Sequence, residues 1–527
     1  MAQLLQDYVT EQAALRPHAT AVVMRDECAS YLELETLSNQ LAHLLKSLGV
    51  GRGDRVCLLI PKSPAAVTAM LGVLKTDAMY VPIDSSSPAA RVAKIAEASR
   101  PKVFLTAQSV SSLVDDLFAQ KLLANDVIVG TLEAESIQTE AFKTTFSLKD
   151  IQGQPKEALL YHNTPSDAAH LLFTSGSTGI PKGVLIKHEN ATHFIDWARH
   201  YFDIQPGEKT SGHPPLHFDL STFDIYGTLS AGAELHMVPP ELNLLPNKLI
   251  EFIRKQKLTQ WFSVPSTLTH MAKFDVLKHG DFPHMTRLLW CGEAMPTPTL
   301  IYFMERLPHV RFTNLYGPTE ATIASSYYTV PKLPASETEP ISIGVACEGE
   351  ELMVLTEELK PSPVGEIGEL YIAGAGLSPG YWQDKDKTDA VFLPDPRPGR
   401  EGSRIYRTGD LGKVDEKGLF YCLGRVDSQI KSRGYRIELG EIEAALNTVE
   451  GIKECAVIGV EVGGFEGTAI CCAYALQDGI TIDKLSLQQS LQKMLPRYMI
   501  PTRWENLTIL PKNANGKIDR KSLKAYF

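Results

Sequence analysis

The chain has 527 residues, and 52 Lys and Arg against 62 Asp and Glu give it a net charge of −10 at pH 7. This length exceeds what one compact core accommodates, so two or more structural units are expected. An apolar content of 44% excludes a chain that is mainly disordered, and the acidic balance argues against a protein that coats nucleic acid. The N-terminus lacks a signal-peptide pattern, and no apolar window reaches the length of a membrane span. We therefore expect a cytoplasmic protein without nucleic-acid or membrane partners.

Helices and short apolar strands alternate in the first part of the chain. Leucines between Leu34 and Leu48 repeat at three- and four-residue steps, which predicts an amphipathic helix that stops at Gly49. The runs Val56–Ile60, Met79–Ile83 and Val103–Thr106 are continuous apolar strands separated by helical segments. Strands of this kind predict parallel βαβ sheets that are buried on both faces.

The pattern changes twice further along the chain. Between about Gly344 and Gly399 the strands are short and rich in Gly and Pro, which indicates a β-rich subdomain. After about Gly424 the remaining hundred residues predict a separate α+β unit. Its predicted helices and strands are Gly440–Val449, Cys455–Val462, Ala469–Leu476 and Leu485–Leu495. The prediction is an α/β protein with a large N-terminal body, residues 1–426, and a small C-terminal domain, residues 427–527.

The strongest local signal for chemistry is the stretch Leu171–Val184, in which an apolar strand leads into a loop of glycines and hydroxyls followed by Lys182. Glycines let backbone N–H groups approach an anion, hydroxyls add donors, and a lysine adds positive charge, as a polyphosphate requires. The spacing is not that of a P-loop. On local residues alone, a flexible exposed turn remains the alternative. The loop residues are Thr174, Ser175, Gly176, Ser177, Thr178 and Gly179.

This stretch resembles the phosphate-binding core of the adenylate-forming superfamily, which includes acyl-CoA synthetases, luciferases and the adenylation domains of nonribosomal peptide synthesis. Further segments resemble the amino-acid-activating branch and follow in the same order. They are His217–Leu235, Leu288–Met295, Thr313–Ile323, Gly368–Trp382, Tyr406–Leu411, Gly424–Glu443 and Asn513–Leu523.

The resemblance implies ATP as substrate and Mg²⁺ as its counterion. It assigns Thr319 to the α-phosphate and Glu320 to Mg²⁺, roles that suit a hydroxyl and a carboxylate. It makes Lys517 the catalytic lysine that bridges nucleotide and substrate carboxylate, although the basic tail around Lys517 would otherwise be interpreted as a solvated charge run. The other implied nucleotide contacts are Lys182, the phosphate-loop residues above, Gly292, Glu293, Ala294, Asn314, Tyr316, Gly317, Asp410 and Arg425.

The same resemblance implies two half-reactions in two domain arrangements. The mobile C-terminal domain would turn about a hinge at Asp427 after adenylation, and Gly434 would then face the site. An ordinary interdomain cap is the alternative explanation for an aspartate at position 427.

Asp219 marks the amino-acid-activating branch by resemblance, because a carboxylate in the pocket pairs with the substrate α-ammonium. The remaining implied pocket positions are mostly aliphatic and carry no second acidic side chain. They are Leu220, Phe223, Ser263, Leu289, Cys291, Leu315, Ile323, Ala324 and Lys517. Such a lining predicts a compact apolar amino acid. The leucines resemble those of prolyl-carrier-protein ligases and point to L-proline, whereas Ser263, Cys291 and Ala324 depart from that pattern and leave alanine, cysteine or valine open.

The chain ends ten residues after Lys517, so we expect the acceptor thiol on a separate carrier protein with a phosphopantetheine arm, with a small pantetheine thiol as the alternative. Two other functions stay open at this point. One is a carboxylic acid–coenzyme A ligase of the same superfamily, and the other is a nucleotide-binding regulator without chemistry.

Overall fold

The structure is a computed structural model that describes residues 4–124, 126–176, 179–462, 467–477, 479–512 and 518–527. Its strands, in chain order, are β1 (Thr20–Met24), β2 (Glu27–Ser30), β3 (Arg55–Leu59), β4 (Met79–Pro82), β5 (Val103–Thr106), β6 (Ile128–Thr131), β7 (Ala168–Thr174), β8 (Lys182–Lys187), β9 (Lys209–Gly212), β10 (Glu234–Met237), β11 (Gln260–Ser263), β12 (Arg287–Trp290), β13 (Arg311–Tyr316), β14 (Ser326–Thr329), β15 (Val345–Ala346), β16 (Glu350–Leu355), β17 (Gly368–Gly374), β18 (Gly380–Tyr381), β19 (Phe392–Pro394), β20 (Arg404–Val414), β21 (Phe420–Arg425), β22 (Gln429–Ser432), β23 (Tyr435–Glu438), β24 (Ile452–Glu461), β25 (Thr468–Leu476) and β26 (Arg503–Asn506).

The helices alternate with the strands in the first two thirds of the chain. They are α1 (Asp7–Leu15), α2 (Tyr31–Ser47), α3 (Pro64–Leu74), α4 (Ala89–Ser99), α5 (Ser111–Ala119), α6 (Leu148–Gln152), α7 (His188–Phe202), α8 (Leu220–Thr222), α9 (Thr228–Ala231), α10 (Pro246–Gln256), α11 (Pro265–Lys273), α12 (Thr297–Arg306), α13 (Lys385–Val391), α14 (Leu439–Leu446), α15 (Lys484–Gln492) and α16 (Arg520–Leu523). A π-helical turn, Phe223–Gly227, joins α8 to α9. No helix among the described residues is both long and apolar enough to cross a bilayer.

Two large sheets confirm the predicted βαβ organisation. One has the strand order β18-β8-β7-β4-β3-β5-β6, with β7, β4, β3, β5 and β6 parallel. The predicted apolar runs form β3, β4 and β5, whose residues are almost all buried. The other sheet has the order β15-β14-β13-β12-β11-β9-β10-β1-β2 and is parallel from β13 to β1. Strands buried on both faces need apolar residues at every position, which explains the continuous runs.

The β-rich region predicted after Gly344 is an antiparallel sheet of β16, β17, β20 and β19, with β21 paired to β20. It extends beyond the predicted limit to Arg425. The predicted α/β class with a β-rich subdomain is therefore confirmed.

The C-terminal part contains the hairpin β22–β23, helix α14 and the sheet β24-β25-β26. Two of its hydrophobic clusters consist only of residues from position 430 onward. Arg433 and Gly434 join β22 to β23 with positive φ angles of 53° and 81°, as a two-residue turn of type I′ requires. The boundary between residues 426 and 427 stays a prediction.

Candidate active site

The loop between β7 and β8 carries two glycines at positions that other residues would not fit, as the predicted phosphate-binding loop requires. A Cβ on Gly176 would lie 2.0 Å from the carbonyl oxygen of Ile180, so this position requires glycine. Gly179 has a φ of +76°, where other residues are strained. The Oγ1 atom of Thr174 is buried and has no hydrogen-bond partner among the residues that the structure describes, so it is available to a phosphate oxygen. Ser177 and Thr178 lie outside the described residues.

The C-terminal part of the chain contacts this loop. Ser175 Oγ donates a 2.7 Å hydrogen bond to the carbonyl oxygen of Arg436, and the Gly176 N–H donates to Glu441 Oε2 over 3.3 Å. Lys182 Nζ lies 3.4 Å from Glu438 Oε1. In this domain arrangement, residues 436–441 therefore contact three of the residues that were predicted to bind phosphate.

Glu320 is completely buried beside the loop. Its Oε1 accepts a 2.7 Å hydrogen bond from the Tyr381 hydroxyl, and its Oε2 accepts a 2.6 Å bond from the Arg436 guanidinium. Burial by itself would raise the pKa of this carboxyl, but the charges of Arg436 and Lys182 and the Tyr381 hydroxyl outweigh burial and lower the pKa to about 2. Glu320 is thus an anion throughout the physiological pH range, as a ligand for a hard cation must be.

Asp219 lies at the start of α8 and accepts a 2.7 Å hydrogen bond from Thr319 Oγ1. Its side chain is buried, and burial raises its pKa from 3.8 to about 6 despite hydrogen bonds from Thr319 and from the Leu220 N–H. The structure therefore brings together the predicted substrate anchor, the predicted α-phosphate contact and, next in sequence, Glu320.

The predicted adenosine contacts form a second group at the end of β13. The Tyr316 hydroxyl and the Arg425 guanidinium each donate a 2.6 Å bond to Asp410, one to each carboxylate oxygen. Asn314 Nδ2 donates to the Ser342 carbonyl oxygen over 2.8 Å. Each carboxylate oxygen of Asp410 therefore accepts one hydrogen bond from a protein group and can accept a second one.

Four further predicted nucleotide contacts follow the ends of the neighbouring strands β12 and β13. Gly292 follows β12 with a φ of +95°, and a Cβ on Gly317 would lie 2.5 Å from Ala324 Cα. Glu293 accepts hydrogen bonds from the N–H groups of Ser266 (3.0 Å) and Gly434 (2.7 Å). Ala294, in contrast, is exposed.

Most of the predicted pocket positions share one hydrophobic cluster next to Asp219. The predicted members are Leu220, Phe223, Leu289, Cys291, Leu315, Ile323 and Ala324, each at most 4% exposed. The same cluster contains Phe194 from α7 and Phe262 from β11, which the sequence reasoning missed. Both rings pack against Phe223, with centroids 5.6 Å apart.

Ser263 is not part of this cluster. Its Oγ accepts a 2.9 Å hydrogen bond from the Trp261 indole, and Trp261 belongs to a different cluster. In the parallel register, Phe262 is opposite Leu289 and Ser263 is opposite Trp290. Paired residues of neighbouring strands point to the same face of the sheet, so Phe262 shares a face with Leu289. The alternation of side chains along β11 is the sequence signal that could have identified Phe262 as a member of the cluster.

The predicted hinge residue Asp427 accepts two hydrogen bonds from Arg425, at 2.8 and 2.7 Å, and one from the Gln429 N–H. Burial opposes ionisation of this carboxyl, but the Arg425 pairing prevails and lowers its pKa. Lys517 lies outside the described residues, so its role as catalytic lysine stays a prediction.

Comparison with known proteins identifies the class that this fold and site define. Residues 9–382 match the model of the AMP-binding enzymes, and residues 441–517 match that of the AMP-binding enzyme C-terminal domain. The chain therefore belongs to the AMP-binding enzyme family. It is 34% identical over 523 residues to an L-proline–[L-prolyl-carrier protein] ligase of Pseudomonas fluorescens, covering 99% of each chain.

Two other similarities extend this result. The chain is 34% identical over 524 residues to tyrocidine synthase 3 of Brevibacillus parabrevis, of which it spans only 8%, while 99% of the chain is matched. The crystal structure of the Vibrio cholerae adenylation domain AlmE, in complex with glycyl-adenosine-5′-phosphate, superposes with a TM-score of 0.86 at 23% identity. That match covers 100% of this chain and 98% of the other and shows that the fold is shared.

Proposed function

We propose that this protein activates an amino acid with ATP to an aminoacyl-AMP and then transfers the aminoacyl group to the phosphopantetheine thiol of a carrier protein. The observation that carries the proposal is the buried Asp219 carboxylate, bonded to Thr319 at the edge of an apolar cluster. A buried carboxylate costs free energy unless a cation compensates it. The α-ammonium group of an amino acid supplies that cation, whereas a fatty or aryl acid does not, which disfavours the coenzyme A ligase alternative.

The first half-reaction joins a carboxylate oxygen of the amino acid to the α-phosphorus of ATP, and the bond to pyrophosphate breaks. Thr319 would contact the α-phosphate when it is not hydrogen-bonded to Asp219, and Lys182 and the Gly176 N–H would hold the phosphates. Lys517 would stabilise the charge that develops on the phosphoryl oxygens. Asp410 would accept the ribose hydroxyls, and Arg425, which donates to Asp410, would contact the sugar as well.

Glu320 fits the role of the residue that would hold Mg²⁺, because it is ionised, buried and next to the phosphate loop. Within the described ranges, no group of three or more His, Cys, Asp or Glu side chains has a metal-binding arrangement. The metal would therefore be bound with the triphosphate, one protein carboxylate and water, which is the usual mode for Mg²⁺.

In the second half-reaction the carrier thiol attacks the acyl carbon, a C–S bond forms, and AMP leaves. We propose that residues 427–527 turn about Asp427 between the two steps. Gly434 is bonded to Glu293 in this structure, as expected for the arrangement in which that loop faces the site. The carrier protein as acceptor is supported by the name of the Pseudomonas relative.

For the amino acid we propose L-proline. The aliphatic cluster beside Asp219 suits a compact apolar side chain, and a relative that is similar over 99% of its length is an L-proline–[L-prolyl-carrier protein] ligase. Alanine, cysteine and valine are the competing candidates with the same physical fit.

The test is amino-acid-dependent pyrophosphate release over the twenty amino acids and pipecolate, run without carrier, with fatty and aryl acids as controls. We expect proline to give the highest kcat/KM and the Asp219→Ala variant to lose activation while still binding ATP. Turnover with aryl or fatty acids alone, or unchanged turnover in the variant, would contradict the proposal.

A further inference from the structure

The hydroxyl of Thr319 has two partners in the proposed function but only one proton to donate. In the structure it donates that proton to Asp219 Oδ2 over 2.7 Å. The proposed function, on which this inference rests, assigns the same hydroxyl to the α-phosphate of ATP and assigns Asp219 to the α-ammonium group of the amino acid. A hydroxyl carries a single O–H donor, so Thr319 cannot donate to both acceptors at once. The two proposed binding sites therefore share one hydrogen-bond donor.

An exchange of partner at Thr319 needs only a rotation of its side chain. Thr319 begins a short 3₁₀ helix that extends to Ala321, and its carbonyl oxygen accepts the Thr322 N–H over 3.1 Å. Glu320, the next residue, is completely buried and accepts a hydrogen bond from Tyr381. These contacts fix the main chain, whereas the Thr319 side chain is half-buried and can turn about χ1 to another staggered position.

Loss of the Thr319 bond leaves the Asp219 carboxylate without its strongest stabilising contact. Burial raises the pKa of Asp219 to about 6. Among the groups that lower this pKa, the Thr319 hydroxyl acts most strongly, followed by the Leu220 N–H and then by the positive charge of Lys431. A hydrogen bond to an ionised carboxylate is one of the stronger kinds, and a buried carboxylate that loses one is destabilised. An ammonium group bound at Asp219 would replace the missing donor.

We infer that Thr319 couples the two substrates: an amino acid bound at Asp219 releases the Thr319 hydroxyl for the α-phosphate, and a nucleotide that takes this hydroxyl strengthens binding of the ammonium group. Each substrate then raises the affinity of the other by the same factor, because linkage is reciprocal. The α-phosphate gains its Thr319 contact most readily in the ternary complex, where the reaction takes place. ATP alone must take that contact from Asp219.

A double-mutant cycle tests the exchange without an amino acid and without chemistry. The probe is α,β-methylene-ATP with MgCl₂, whose bridging carbon prevents release of pyrophosphate, and calorimetry gives its Kd. In the unmodified protein, Asp219→Asn weakens the acceptor that competes for the hydroxyl, so we expect the analogue to bind about tenfold more tightly. In the Thr319→Val background the same substitution removes only charge repulsion and should tighten binding by about threefold or less.

The second measurement adds the amino acid that gives the highest kcat/KM in the pyrophosphate-release panel. At saturation it should tighten binding of the analogue by about tenfold in the unmodified protein and in Thr319→Ser, which keeps the hydroxyl. In Thr319→Val the gain should fall to about threefold or less. The matched control is Thr313→Val, because Thr313 is a buried threonine of β13 whose hydroxyl is bonded to Thr329. Its gain should equal that of the unmodified protein.

Additive effects of the two substitutions in the cycle would overturn the inference. Equal gains in Thr319→Ser and Thr319→Val would also overturn it, as would an unmodified protein whose affinity for the analogue does not respond to the amino acid. If Thr319→Val does not fold, Thr319→Ala removes the same hydroxyl and takes its place in both measurements. Failure of the proposed function looks different: no amino acid in the panel would cause pyrophosphate release, whereas the cycle with the nucleotide analogue needs no amino acid.

Discussion

Replacing Asp219 with Asn should stabilise the protein while abolishing amino-acid activation. Burial raises the pKa of this carboxyl from 3.8 to about 6, and at 1.36 kcal/mol per pKa unit the ionised form costs the folded state about 3 kcal/mol. Asn has nearly the same shape, carries no charge, and its amide oxygen can still accept the Thr319 hydrogen bond. We therefore expect Asp219→Asn to recover most of that free energy above pH 7.

The sign of the pH dependence follows from the raised pKa. Below the unfolded value near 4, Asp219 is protonated in both states and the two proteins should be equally stable. Between pH 4 and 6 the unfolded state ionises first, so the advantage of the variant grows, and above pH 6 it is constant. Urea unfolding of both proteins at pH 4, 5, 6 and 8, followed by tryptophan fluorescence, measures this difference.

Two results would refute the reasoning. One is a variant no more stable than the parent at pH 8, and the other is a gain in stability that does not change between pH 4 and 8. Asp415→Asn is the control, because Asp415 is a surface carboxyl whose turn hydrogen bonds lower its pKa, so the substitution should not stabilise the protein. In the same samples, amino-acid-dependent pyrophosphate release should be lost only in Asp219→Asn.

Three further outcomes follow from the proposed mechanism. Lys517→Ala should slow pyrophosphate release by about a hundred- to a thousandfold in single-turnover assays, because one transition-state charge contact is lost, whereas Lys521→Ala should not. Asp427→Ala should reduce thioester formation on the carrier more than adenylation, and equal losses in both assays would argue against a hinge. Ala324→Leu adds volume to a fully buried cluster, so it should raise the KM for proline. The same overpacking should destabilise the protein by about 1–3 kcal/mol in urea unfolding. An unchanged KM would place Ala324 outside the substrate pocket.

Local patterns predicted much of the fold correctly. The leucine repeat became α2, which ends at Ser47, with Gly49 two residues beyond at a φ of +80°. The continuous apolar runs became parallel strands because a strand covered on both faces has no solvent-facing position for polar residues. A pattern of apolar residues that continues over a whole helix or strand is enough to predict that element from the sequence. Helix α14 and strands β24 and β25 were predicted for the same reason.

The assignments of the site residues stay predictions, and Ser263 shows what the structure adds to them. Ser263 and Phe262 are neighbours on β11 and face opposite sides of the sheet: Ser263 Oγ accepts from the Trp261 indole, and Phe262 lies in the apolar cluster beside Asp219. Phe194 lies on helix α7, far in sequence from most other members of the apolar cluster beside Asp219, and no local pattern links it to them.

The amino-acid sequence by itself determined the class of protein, because residue types in a fixed order identify the family and predict the strands that carry the proposed site. Which side chains those residues contact could be determined only from the tertiary structure. Arg436 and Glu320 are 116 positions apart, and their pairing depends on how one folded unit packs against another. A long-range contact of this kind is set by the balance of burial and charge over the whole molecule, which no local stretch of sequence contains.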